Sequence, residues 1–106
     1  MTDIEYPTEG QLESIKNWEA SDFHGLMSFI RPLWAFASWG WNQDGDIYTI
    51  STGGWSGNED IIGAMQENHI WWMMFWEQSQ RGGHYIFSPL SAMLKIGVGE
   101  TPKPEK

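Results

Sequence analysis

The feature that most constrains the fold is the run TGGWSGNED at Thr52–Asp60, where a strand-like segment ends and a helix begins. Its two adjacent glycines permit backbone angles that other residues avoid, so a tight turn fits there. Ser56 and Glu59 have the spacing of a capping box, in which the serine side chain accepts a hydrogen bond from a helix-start amide. The run therefore predicts a turn followed by a helix that Ser56 caps.

The residues after this turn predict the buried face and the end of the helix. Ile61, Ile62 and Met65 have helical spacing and would form the buried face. Asn68 follows and can adopt the left-handed conformation that closes a helix. We therefore expect the helix to end near Asn68.

The apolar run Ile70–Trp76 is the most ambiguous segment of the chain. Ile61, Met65, Trp72 and Trp76 could lie along one longer helix. Seven consecutive apolar residues also suit a central strand that is buried on both faces. We predict the strand, with neighbouring side chains on opposite faces of the sheet.

Two helices and two hairpins complete the predicted architecture. Thr8 and Gln11 form a second possible capping box, which begins a helix extending from about residue 8 to residue 19. Ser21 or Asp22 can cap the next helix, which Pro32 ends. Alternating residues predict a hairpin of strands 33–41 and 46–52 with Asp44-Gly45 in its turn, and a second with the loop 80–83 and the strand 84–87.

These elements predict an α+β fold: an N-terminal helical pair and an antiparallel sheet of about four strands in the order β-β-α-β-β, with helices packed on it. Ser88-Pro89 before Leu90 and Gly97 beyond it predict one more short helix. We expect residues 1–99 to form a single domain and residues 100–106 to form a disordered tail.

Composition limits the classes of function. The chain has 14 acidic and 6 basic residues and a formal charge of −8, which opposes contact with nucleic acid phosphates and favours a neutral or basic partner. The charge can also serve only to keep a chain with eight tryptophans in solution. Cysteine is absent, and no apolar run approaches the roughly 20 residues that cross a bilayer. We therefore expect a soluble protein of the cytoplasm, with no membrane contact.

Several motifs lie between Trp18 and Phe87, a range of about two-thirds of the chain: Phe23 with Gly25-Leu26-Met27 and Phe29-Ile30, Trp39-Gly40-Trp41, Ser51–Glu59, and Ser79 with Arg81–Tyr85. These motifs carry a resemblance to a group of short uncharacterised proteins that tailed bacteriophages and prophages encode. It implies a phage gene product that acts in an infected bacterial cell. It implies no activity and assigns no functional residue.

Two loops supply the candidate binding residues. The amides at the predicted helix start can bind an anion, and the later hairpin could add charge if the sheet brings the two loops together. The alternative is a buried hydrogen-bond network that stabilises the fold. The candidates are Trp55, Ser56, Asn58, Arg81, His84 and Tyr85.

The primary hypothesis is a non-enzymatic module that binds a host or phage protein through an acidic, aromatic surface. The alternative is a protein that binds a small molecule or nucleotide through the Trp55, Asn58, Arg81 and His84 region. An enzyme that uses His84 with Glu59 or Glu77 is the weakest hypothesis, because no nucleophile is evident. The histidines are too scattered to predict a metal site, we expect no cofactor, and a homodimer remains an option.

Overall fold

The computed structural model of the protein describes residues 6–89, in which five α-helices and a four-stranded antiparallel sheet form an α+β fold. The helices are α1 (Glu9–Lys16), α2 (Phe23–Ile30), α3 (Ala37–Gly40), α4 (Ser56–Glu67) and α5 (His69–Phe75). The strands are β1 (Trp41–Asp44), β2 (Ile47–Ser51), β3 (Trp76–Gln80) and β4 (His84–Phe87). The predicted helix after Pro89 and the predicted tail at residues 100–106 lie outside the described residues.

The sheet has the strand order β1-β2-β4-β3, so the two hairpins meet through β2 and β4. This arrangement confirms the predicted fold class, although two helices, rather than one, separate the hairpins. Tyr48 pairs with Phe87 and Ile50 with Tyr85, and these side chains lie on the core face. Because side chains alternate along a strand, the neighbouring pairs, including Ser51 with His84, lie on the opposite face.

The two N-terminal helices begin where their caps predict. The Thr8 hydroxyl accepts from the Gln11 amide at 3.1 Å, and the Gln11 side chain accepts from the Thr8 amide at 2.8 Å. Asp22 Oδ1 accepts from the Gly25 amide at 3.0 Å and caps α2. The first helix ends at Lys16, earlier than predicted, because the Asn17 side chain donates to the Glu13 carbonyl and closes the last turn.

The predicted strand at Ile70–Trp76 is wrong: this segment is mostly α5, and β3 begins only at Trp76. Trp71 and Phe75 lie one helical turn apart, are both buried, and have ring centroids 5.2 Å apart. Ile70, between Trp71 and the helix start, is exposed. A helix can bury one face of an all-apolar run and expose another face to solvent, whereas a central strand would bury both of its faces.

Asn68 separates α4 from α5 without adopting the predicted left-handed conformation, since its φ is −86° and its ψ is 76°. Its buried side chain donates to the carbonyls of Ile15 at 3.1 Å and Trp18 at 3.0 Å. Its carbonyl accepts from the Trp72 amide at 2.9 Å. Asn68 therefore breaks the helical run and joins it to the end of α1.

The predicted strand at residues 33–41 is also wrong. A 3-10 turn at Arg31–Leu33 and the short helix α3 occupy most of this segment, and β1 begins at Trp41. Phe36 has φ 63° and ψ 34°, a left-handed conformation that is incompatible with an extended strand at this residue. The aromatic alternation of this segment therefore comes from a loop and a helical turn.

The core lies between the helices and one face of the sheet, and aromatic rings dominate it. The Phe23 ring contacts those of Phe75 at 4.7 Å, Tyr48 at 5.4 Å and Trp71 at 5.9 Å between centroids. Since Phe23 comes from α2 and Tyr48 from β2, these contacts join the helical pair to the sheet. Within the described part of the chain, no helix has the length and apolar character needed to cross a membrane.

Candidate interaction surface

The start of α4 differs from the sequence prediction, because Trp55 is the N-cap residue and Ser56 is the first residue inside the helix. No side chain caps this helix; the Ser56 hydroxyl is hydrogen-bonded to the Tyr6 hydroxyl at 2.8 Å. The Tyr6 ring packs on Trp55 with centroids 4.7 Å apart. The predicted Ser56 cap is therefore wrong: the serine contacts an aromatic side chain 50 residues away.

Ser56→Ala is expected to change the free energy of unfolding by no more than about 0.5 kcal/mol, because the lost hydrogen bond joins two exposed hydroxyls. A capping serine would cost about 1 kcal/mol on the same substitution. Urea denaturation of the purified variant and the parent measures the difference. A loss of about 1 kcal/mol or more would contradict the structure at this position.

Asn58 links α4 to the loop before α3. Its side chain is 1% exposed and donates to the Ala35 carbonyl at 3.0 Å and the Thr52 carbonyl at 3.2 Å. Its Oδ1 accepts from the Ala35 amide at 2.9 Å. All three bonds are to backbone, so Asn58 holds two loops together and presents no group to a ligand.

Phe36 follows the residue that Asn58 holds and has a backbone conformation rare for a bulky side chain. Its φ of 63° lies in the left-handed region, which costs an L-residue about 1–2 kcal/mol. Its carbonyl accepts from the amides of Trp39 at 3.1 Å and Gly40 at 2.8 Å, and these hydrogen bonds begin α3. The ring is 41% exposed, so burial of the side chain does not explain the strain.

Trp39 stacks on Phe36, with ring centroids 5.8 Å apart and planes inclined by 20°. Trp39 is 62% exposed although it also contacts Gly53. A Cβ at Gly53 would lie 2.6 Å from Trp39 Cη2, and Gly53 has φ +63°, so both the close approach and the backbone angle require glycine. The glycine turn therefore holds the indole while leaving most of its ring open.

We call Tyr6, Phe36, Trp39 and Trp55 the aromatic surface. Its two pairs contact one short segment: Trp39 touches Gly53, and Trp55 packs beside Gly57. Tyr6, Phe36 and Trp39 are exposed and Trp55 is half-buried. The surface is thus a group of accessible rings at the turn that leads into α4.

The tip of the β3–β4 hairpin lies next to this turn. The Thr52 amide donates to the Gly83 carbonyl at 3.0 Å, and Gly83 packs against the Thr52 side chain. Ser51 Oγ and His84 Nδ1 are 2.6 Å apart across β2 and β4. Arg81 is exposed at the tip, and no carboxylate of residues 6–89 lies within 4.0 Å of its guanidinium.

The predicted site residues separate into four environments. Trp55 and Ser56 lie at the helix start with Tyr6, while Asn58 is buried beneath them. His84 lies at the adjacent hairpin on the side of the sheet away from the core, and Arg81 is exposed in the loop of that hairpin. Tyr85 packs at the core face, 6.1 Å from Trp72 between ring centroids. Structure therefore brings the two loops together, but the six side chains do not line one pocket.

A second polar cluster joins α2 to the β1–β2 turn. His24 Nδ1 lies 3.2 Å from the Tyr48 hydroxyl, and His24 Nε2 lies 3.1 Å from Asp46 Oδ1. Burial, with the Asp46 charge as a smaller contribution, raises the pKa of the Tyr48 phenol. The His24 ring therefore bridges the Tyr48 hydroxyl and the Asp46 carboxylate through its two nitrogens. Among the described residues, no three His, Asp or Glu side chains form a group suited to a metal ion.

Sequence reasoning missed Phe36, Trp39 and Ser51 as members of the site. The available signal for the first two was the three-residue spacing of aromatics within Phe36–Trp39, which matches one helical turn. Ser51 required the register of β2 on β4, which spacing alone does not give. Comparisons of the chain with protein families, with curated proteins and with solved structures found no match.

Proposed function

We propose that the protein is a non-enzymatic phage accessory module that binds a host or phage protein through the aromatic surface, in the cytoplasm of an infected bacterial cell. The phage setting comes from the sequence resemblance. The observation that carries the binding role is the Phe36–Trp39 stack, in which strained backbone and close glycine packing support rings that remain exposed. Tryptophan is among the residues that most often dominate the binding energy at protein interfaces.

Stability alone gives no reason for phenylalanine at position 36. Glycine would adopt the same left-handed angles without the steric cost, and a half-exposed ring gains only part of the free energy of full burial. Backbone strain of this kind collects at functional positions. A ring at position 36 is therefore better explained by what it contacts outside the chain.

Phe36→Gly is expected to leave the free energy of unfolding within about 1 kcal/mol of the parent, because relief of strain offsets lost ring contacts and glycine flexibility. The same change is expected to reduce partner capture strongly, as is Trp39→Ala. The assay is affinity capture of the tagged protein from phage-infected cells, with quantitative mass spectrometry of bound proteins.

The matched control is Ile47→Ala, which removes an exposed apolar side chain at the opposite end of β2. A partner that the parent and Ile47→Ala retain, and that Phe36→Gly and Trp39→Ala lose, supports the proposal. A set of bound proteins that is the same for all four chains would overturn it.

A second candidate function is binding of an anionic small molecule, such as a nucleotide, beside the hairpin tip. The observation that favours it is the exposed Arg81 guanidinium beside a turn that also presents His84 and Ser51. Asn58 no longer belongs to this candidate, because backbone groups use all of its hydrogen bonds.

Arg81→Gln is expected to leave the melting temperature within about two degrees, because the side chain is exposed in a hairpin loop. If the anion site exists, the change weakens nucleotide binding more than about tenfold, as expected for loss of a charge-assisted hydrogen bond of roughly 1.5–3 kcal/mol. Calorimetric titration with ATP on the parent and the variant measures this. Equal ATP affinities of the parent and the variant would remove Arg81 from the site.

A further inference from the structure

We propose that the occupant of the aromatic surface is an arginine-bearing, basic segment of the partner protein. This inference rests on the proposed function and adds the chemistry of the partner. It combines the charge of the chain, the geometry of the Phe36–Trp39 stack and the acidic residues that begin α4.

The charge distribution favours a cationic occupant. The chain has a formal charge of −8, and every carboxylate side chain of the described residues is exposed. Of the described basic residues, Lys16 already lies 3.7 Å from both Glu13 and Glu67. The other two cations of residues 6–89, Arg31 and Arg81, do not balance the carboxylates of that range, so a basic segment is attracted from a distance.

The stack suits a planar cation. Tryptophan is the ring that attracts cations most strongly, and the guanidinium group stacks on such rings better than an ammonium group does. Trp39 stacks on Phe36 and contacts Gly53, yet its side chain is 62% exposed. The near-parallel ring of Phe36 enlarges the apolar area on which the arginine stem can pack.

Two acidic side chains follow Asn58 near the start of α4. The Asn58 side chain is hydrogen-bonded to the Ala35 backbone, and the next two residues, Glu59 and Asp60, are exposed. These carboxylates add negative potential near the start of α4, the helix that follows the Gly53 turn, and this potential favours a cationic segment there. A second copy of this chain is disfavoured, because its own charge of −8 would oppose the approach.

The test follows the indole N–H signal of Trp39 in two-dimensional NMR of the 15N-labelled full chain, with Trp39→Phe identifying the signal. The probes are the capped pentapeptides acetyl-GRPRG-amide, acetyl-GKPKG-amide and acetyl-GQPQG-amide. We expect a saturable shift with the arginine peptide, a weaker response with lysine, and about two- to fivefold weaker binding with glutamine, the loss expected for a cation–π contact at an exposed ring.

Salt and charge variants make the assignment specific. Raising the ionic strength from about 20 mM to about 200 mM shortens the screening length and is expected to weaken arginine-peptide binding several-fold. The double change Glu59→Gln with Asp60→Asn is expected to weaken it, whereas Asp44→Asn, at the far end of the β1–β2 hairpin, is not. Arg81→Gln is expected to leave arginine-peptide binding unchanged or slightly tighter, opposite to its effect on an anion.

Three outcomes overturn the inference: no shift with the arginine peptide, equal shifts with the glutamine peptide, or indifference to salt and to the Glu59/Asp60 change. A Trp39 shift that depends on protein concentration alone identifies a second copy as the occupant and also overturns it. If the arginine peptide fails while Phe36 and Trp39 still govern partner capture, the proposed function stands and only the partner chemistry is wrong. Failure of both removes the binding role of this surface.

Discussion

Replacing Trp71 with alanine is expected to lower the free energy of unfolding by about 3–5 kcal/mol, a large part of the stability of an ordinary domain. Trp71 is 0% exposed, and its ring contacts those of Phe23, Phe75 and Phe87. Its indole N–H donates to the Asp22 carbonyl at 3.4 Å, which joins α5 to the start of α2. The substitution removes this link and leaves a cavity between helices and sheet.

The neighbouring residue supplies the control. Ile70 is 58% exposed, so Ile70→Ala is expected to cost less than about 1 kcal/mol in the same urea titration. A strand buried on both faces would make the two substitutions comparably costly, since adjacent side chains would both be enclosed. Similar losses for Trp71→Ala and Ile70→Ala would therefore contradict the helix at His69–Phe75.

Asn58→Ala is expected to cost about 2–4 kcal/mol, because it removes three hydrogen bonds and leaves the half-buried amide and carbonyl of Ala35 without the Asn58 side chain as partner. The change should also release the loop that carries Phe36. Urea denaturation reports the global loss, and a shift of the Trp39 indole signal in NMR reports the local one.

Asn42→Ala is the matched control, because Asn42 is exposed on β1, and it should stay within about 0.5 kcal/mol of the parent. If Asn58 served only to bind a ligand, Asn58→Ala would weaken binding and leave the free energy of unfolding unchanged. That result would return Asn58 to the site and contradict its structural role.

The parts of the fold that sequence predicts well are those fixed by nearby residues. Thr8 with Gln11 and Asp22 with Gly25 are three residues apart, so the caps of α1 and α2 form from local chemistry. The hairpin turn at Gly45 is also local, and its φ of +65° matches the glycine requirement of the predicted turn. Both β-hairpin turns follow from such signals.

The parts that sequence predicts badly depend on distant partners. Ile70–Trp76 is apolar throughout, so its period does not distinguish a helix from a buried strand; burial of Trp71 and Phe75 on one face favours the helix. The left-handed Phe36 depends on Asn58, which holds Ala35 from 23 residues away. No propensity predicts phenylalanine there.

The candidate site shows the same division. The sequence locates the two loops, because their glycines mark turns, and the sheet register brings them together through Thr52 and Gly83. The sequence does not predict that the Ser56 hydroxyl is hydrogen-bonded to the Tyr6 hydroxyl or that Trp39 contacts Gly53. The rings of the aromatic surface come from three separate parts of the chain, so only the folded structure assembles them.

Site-specific photo-crosslinking tests the binding role of the aromatic surface most directly. A photoreactive phenylalanine analogue at position 36 retains an aromatic ring, and the same analogue at position 47 places the probe at the far end of β2. After irradiation of phage-infected cells, we predict one abundant crosslinked host or phage protein from position 36 that is absent from position 47 and is lost when Trp39 is changed to alanine. Equal crosslinking from both positions, or none from position 36 with folded protein present, would contradict the proposal.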